Sequence, residues 1–186
     1  MEREGQGMET SRDATLFGVP GADATAAAVA AMEARLNERG PQAALAFLNA
    51  RTRYRFTGIY HADPPLLRNM FLFDRENPAL RAATGPVCPI DETYCGIVVA
   101  DEAEFATGDA TLDARLTAHP AREAVISYAG VPLRLASGRP WGTLCHFDVR
   151  PRLLLGRELA VLQAAAPVLM RWLRARAPSG SARSSA

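Results

Sequence analysis

Behind Asp23, apolar positions recur at helical spacing, with Val29, Met32 and Leu36 forming one stripe. The Asp23 carboxylate can accept hydrogen bonds from the unpaired N–H groups of a helix start, so the pattern predicts a helix from Asp23 to about Glu38, stopped by Gly40-Pro41. A second helix, roughly 42–51, would present Ala44, Leu45, Phe47 and Leu48. At Tyr54 the period changes to alternation. Tyr54, Phe56, Gly58 and Tyr60 interleave with Arg55, Thr57, Ile59 and His61, which predicts a strand with both faces occupied. Asp63-Pro64-Pro65 turns the chain, and Leu67–Asp74 returns to complete a hairpin.

The stretch 76–122 is less regular. Asp91 suits the N-cap of a short helix through Tyr94 and Val98, and Ala110–Ala118 reads as another, closed by His119-Pro120. Three strands follow, Glu123–Tyr128, Val131–Ala136 and Trp141–Asp148, punctuated by Gly130, Ser137–Pro140 and Pro151. A long helix then runs from about Leu155 to Ala175, with Leu155, Leu159, Leu162, Ala166, Leu169 and Leu173 on its apolar face and Pro167 expected to kink it. This order is α+β. Short turns between strands imply a central antiparallel sheet of five to six strands, with the long terminal helices on one face. The irregular 76–122 layer must cover the other face and so trap a pocket. Residues 1–20 and 178–186 are polar and aperiodic and read as disordered tails around one domain, 21–177.

Composition narrows the function. Twenty-one basic residues against 20 acidic ones give a net charge of +1, without the basic excess that a nucleic-acid surface needs. All the basic residues are arginine, which removes lysine Schiff-base chemistry and the lysine of a phosphate-binding loop. No apolar run approaches the length of a membrane span, and Met1–Gly7 lacks the apolar core of an export signal. A cytoplasmic protein with free thiols at Cys88, Cys95 and Cys145 is expected.

Two late segments carry a resemblance. Ser127–Leu133 (SYAGVPL) and Gly138–Asp148 (GRPWGTLCHFD), followed by the long helix, resemble the end pattern of GAF domains, and Pro89–Gly96 (PIDETYCG) resembles the start of that family's pocket helix. The likeness covers about 24–176. It implies a sensory module that binds a small molecule such as a cyclic nucleotide, a tetrapyrrole or haem, and that dimerises through its terminal helices. A domain filling the chain in this way would signal through a separate protein.

The expected ligand-binding residues are Tyr60, Phe71, Asp91, Tyr94, Cys95, His119, Ser127 and Cys145. A tyrosine offers a ligand an apolar body with a polar tip, which singles out Tyr60 and Tyr94. Arg68, Arg75, Arg81, Arg122 and Arg134 are candidates for an anionic ligand or for plain surface ion pairs. Two other chemistries stay open. Cys95, with Cys88 or Cys145, could form a redox site like that of the GAF-fold free methionine sulfoxide reductases, although the stretch 116–122 lacks the cysteine those enzymes carry there; small apolar packing is the alternative. A haem could take His119 or His146 as its axial ligand. The adjacent Cys145 and His146 point to opposite faces of a strand and cannot share one pocket task.

Overall fold

The computed structural model describes residues 20–79, 87–153 and 155–176. Apart from Pro20, the two expected tails lie outside these residues, as does Arg81. The first two helices are α1 (Pro20–Arg39) and α2 (Pro41–Ala50), divided at Gly40, whose φ of 82° is a left-handed conformation that glycine adopts without strain. In α1 the buried positions are Ala28, Met32 and Leu36, one per turn.

The hairpin β1 (Phe56–Asp63) and β2 (Leu66–Asp74) follows, then β3 (Val87–Pro89), a 3₁₀ turn at Ile90–Glu92, and α3 (Tyr94–Ala100). After β4 (Phe105–Thr107) come two further 3₁₀ turns, Ala114–Leu116 and Pro120–Glu123, then β5 (Ser127–Arg134), β6 (Pro140–Asp148) and α4 (Gly156–Arg176). The six strands form one antiparallel sheet in the order β3-β2-β1-β6-β5-β4. The α+β layering expected from the sequence is present.

Helices α1, α2 and α4 lie on one face over a core that includes Met32, Leu45, Ile59, Leu144, Leu162 and Leu169. On the other face α3 and the 3₁₀ turns enclose a second apolar cluster, built on Leu67, Tyr94, Val98, Leu116, Tyr128 and Cys145. No described helix is long and apolar enough to cross a membrane.

Several local expectations need correction. Glu123–Tyr128 and Val131–Ala136 are not two strands: Gly130 pairs with Cys145 inside a continuous β5. Its lack of a side chain serves packing, because the Tyr128 ring folds over it, and a Cβ there would come within 2.2 Å of the Tyr128 hydroxyl. Ala110–Ala118 holds only the 3₁₀ turn at 114–116. Asp91 does not cap α3; Thr93 does, its hydroxyl accepting from the Gly96 N–H at 3.2 Å while donating to the Ile90 carbonyl at 2.8 Å. The three-residue strands β3 and β4 are too short to show a period.

Candidate functional site

A cavity of about 270 Å³ lies between the sheet and the α3 layer. Strands β1 and β2 supply Tyr60, Leu67, Asn69 and Leu72 to its wall, and β5 and β6 supply Tyr128, Cys145 and Phe147. The covering layer adds Cys88, Thr93, Tyr94, Cys95, Ala121 and Val125. Among the described residues, no Arg, Asp, Glu or His lines it.

Alternation explains the sheet side of the wall. In β6, Cys145 and Phe147 face the cavity, whereas Leu144 lies in the helix-side core and His146 in a polar network on that same face. In β2 the alternation is interrupted. Leu67 and Asn69 face the cavity, but the register shifts opposite Ile59/Tyr60, so that Tyr60 pairs with Asn69 and Ile59 with Phe71, leaving Met70 as the extra residue. This bulge turns Phe71 to the helix side, edge-on to Trp172 at 6.4 Å, and brings Leu72 to the cavity. Phe71 is therefore not a cavity residue.

The covering layer is pinned by its own hydrogen bonds. The His119 Nδ1 accepts from the Ala121 N–H at 3.1 Å, and a further hydrogen bond joins the ring to the Thr93 backbone. Partial burial pushes the His119 pKa down. Its ring packs 4.7 Å from that of Tyr94, which also contacts Phe105 and Tyr128. His119 thus braces the cavity wall through its Nδ1 and its ring packing, and it does not line the cavity. His146 does not line it either: it lies on the helix side of the sheet.

The remaining expected site residues divide cleanly. Tyr60, Tyr94, Cys95 and Cys145 meet at the cavity. Asp91 is exposed and outside it. Ser127 is buried at the start of β5, donating to the Arg150 carbonyl at 2.7 Å. Three of the arginine candidates are engaged elsewhere, Arg75 donating to Asn49, Arg122 to the Ala110 carbonyl and Arg134 to the Gly138 carbonyl, and Arg68 is exposed.

Two features of the wall are chemically specific. The Cys95 sulfur accepts hydrogen bonds from the Tyr128 hydroxyl at 3.3 Å and the Thr143 hydroxyl at 3.1 Å, with the Cys145 thiol also hydrogen-bonded to it. These partners stabilise negative charge on sulfur and move the Cys95 pKa down, while burial drives that of Cys145 well up. Cys88, on the edge strand, is raised by partial burial. The second feature is a pair of polar atoms without partners among the described residues, the Asn69 carbonyl oxygen and the Tyr94 hydroxyl. Asn69 was not foreseen from the sequence. Its only signal there is a polar residue in step with Leu67, at a position alternation places indoors.

The fold recurs among known proteins. Over 82% of this chain and 94% of the other, it matches the GAF domain of an Acinetobacter phosphoenolpyruvate-protein phosphotransferase, with a TM-score of 0.66 at 13% identity. A free methionine-R-sulfoxide reductase of Neisseria meningitidis, solved with its substrate, matches with a TM-score of 0.58 at 19% identity over 81% of this chain and 89% of that one. In sequence, a cyclic di-GMP phosphodiesterase of Pseudomonas aeruginosa is 31% identical over 106 residues, 53% of this chain and 18% of that protein. The chain therefore matches under a fifth of this relative's length. A sequence model of the GAF domain matches residues 38–171. With that match spanning more than half of the sequence and the same fold in solved GAF domains, the chain belongs to the GAF domain family.

Proposed function

We propose that this GAF domain is a sensory module that binds a small molecule in the cavity beneath α3 and passes the signal to a separate protein. The observation that carries this reading is the largely apolar cavity bounded on one side by the sheet and on the other by a short helix and turns. A ligand there would stabilise the covering layer and shift its population toward one arrangement. The terminal helices α1 and α4, packed on each other, would carry the change to a second copy of the chain.

A library of small neutral and charged compounds, scored by thermal shift on the purified chain, tests this. A true ligand raises the midpoint in proportion to its occupancy of the folded state. Ala121→Phe, which fills the cavity from its covering side, should abolish the shift. A shift that persists in this variant would place the ligand elsewhere.

The hydroxyls aimed at Cys95 favour one second reading, a thiol redox enzyme. In it, Cys95 and Cys145 would give two electrons and two protons to a small sulfoxide, becoming a disulfide while the sulfoxide leaves as thioether and water. This requires a thiol that reacts with maleimide below its ordinary pH range and activity lost in Cys95→Ser. Three thiols inert to both maleimide and a sulfoxide oxidant would exclude it.

A further inference from the structure

We infer that the groove at the foot of α4 docks an acidic segment of a partner protein, in which carboxylates flank an apolar side chain. This rests on the proposed function's call for a separate signalling protein and names that protein's chemistry, at a site apart from the cavity. The groove, about 640 Å³, lies where the link from α2 to β1 meets the link from β6 to α4. Arg51, Arg53, Arg152 and Arg157 line it, together with Glu158. Four arginines against one glutamate leave the groove positive even after the buried Asp148 behind Arg152 is counted.

The arginines differ in how firmly they are held. Arg51 and Arg152 are anchored by buried carboxylates, Glu158 at 2.9 Å and Asp148 at 2.6 Å. The loop between β6 and α4 is tied down as well. The Arg152 N–H donates to the Gly108 carbonyl at 3.0 Å, and the Arg150 carbonyl accepts from the Ser127 hydroxyl at 2.7 Å. Arg53 makes no ion pair among the described residues, and Arg157 only approaches Glu158, at 3.5 Å. Both are exposed. Two charges are therefore fixed before a partner arrives, and two are free to close on its carboxylates through paired N–H groups.

Apolar surface is concentrated at the same place. Of the seven large apolar side chains exposed among the described residues, Val149, Leu153 and Leu155 fall within 149–155. Leu153 is 85% exposed and lines the groove with Leu155, alongside the arginines. Apolar contact ringed by charge is the make-up of a protein interface, whereas a phosphate backbone offers exposed leucines nothing to pack against. The remaining surface also favours a short acidic segment over a nucleic acid. Residues 88–113 carry seven acidic side chains and no basic one, and the whole chain has a net charge of only +1. That acidic layer repels an extended polyanion more than a segment confined to the groove.

Panning a random-peptide display library on the full chain tests this. Selected sequences should be enriched in Asp and Glu around an apolar residue, and a fluorescent peptide of that consensus reports affinity by anisotropy. Arg53→Glu and Arg157→Glu should each weaken the peptide about tenfold with little change in thermal midpoint, because neither arginine anchors a buried carboxylate. Leu153→Ser should weaken it several-fold. Arg139→Glu, the same charge change at an exposed position in the turn before β6, should leave binding within about twofold. No acidic enrichment, an equal loss in Arg139→Glu, or tighter binding of single-stranded DNA or phosphatidylserine vesicles than of the peptide would overturn the assignment. So would self-association abolished by Arg53→Glu, which would make a second copy of the chain the occupant. None of these measurements fills the cavity. Failed docking with an intact ligand-induced thermal shift strikes the groove alone, and docking without such a shift strikes the cavity alone.

Discussion

His146 shows how much a single buried side chain can determine. Arg75 donates to Asn49 at 2.9 Å, Asn49 donates to the Thr57 oxygen at 2.9 Å, and the Thr57 hydroxyl lies 2.7 Å from the His146 Nδ1. The Thr57 hydroxyl, which accepts from Asn49, still has its own hydrogen to donate to the Nδ1 of a neutral His146. Burial and the Arg75 charge push its pKa down from 6.5 to about 3. Between those values the unfolded chain takes up a proton that the folded chain does not. The resulting stability is full above pH 6.5 and declines as the pH falls toward about 3, on the order of 3 kcal/mol being lost by pH 4. Guanidinium unfolding at a series of pH values should therefore show a shallower acid decline for His146→Gln than for the parent. Parallel declines would mean that other groups control acid stability. Gly130 carries a simpler expectation: Gly130→Ala drives a methyl group into the Tyr128 ring and should cost about 1–3 kcal/mol. It should also loosen the Tyr128 contact with Cys95, seen as faster labelling of that thiol.

At the scale of elements, what the sequence made legible follows the length of each segment. Helices α1, α2 and α4 and strands β1, β2 and β6 each repeat their hydrophobic pattern often enough to be read, within a few residues of their observed ends. Strands β3 and β4 have three residues each and owe their conformation to the neighbours they pair with. Gly130 reads as a break because glycine usually interrupts a strand, whereas here a tyrosine two residues away occupies the missing side chain's space. The site was half legible for a related reason. Tyr60, Tyr94, Cys95 and Cys145 stand on elements whose facing could be deduced, but the bulge at Met70 exchanges Phe71 for Leu72, and no local residue pattern announces it. In α4, Pro167 sits on the exposed side of the helix and withholds a backbone N–H from the Gln163 carbonyl. Pro167→Ala should restore that bond and raise stability by about 1–3 kcal/mol, measurable as a higher thermal midpoint.

At the scale of the molecule, ion pairs tie distant segments together on the helix side. Arg51, just past α2, grips the nearly buried Glu158 of α4 through two nitrogens, at 2.9 and 3.2 Å. Arg51→Met would leave that carboxylate poorly solvated. Because the arginine itself is partly exposed, the cost should be a moderate ~1–2 kcal/mol, read from chemical unfolding. Asp74 is likewise held by Arg55, which lowers its carboxyl pKa.

The sheet also acts as a partition. Its strands separate two apolar clusters: one sealed by three helices, the other roofed by a seven-residue helix and brief turns. Disrupting the roof exposes only the second cluster, so the protein should yield in two tiers instead of all at once. In native-state hydrogen exchange, amides of α3 and of the turn at 120–123 should exchange through small openings, while those of β1, β6 and α4 wait for global unfolding. A compound bound in the cavity would slow the first tier and leave the second almost unmoved. Exchange rates alone could then show that the site is filled before any downstream response is known.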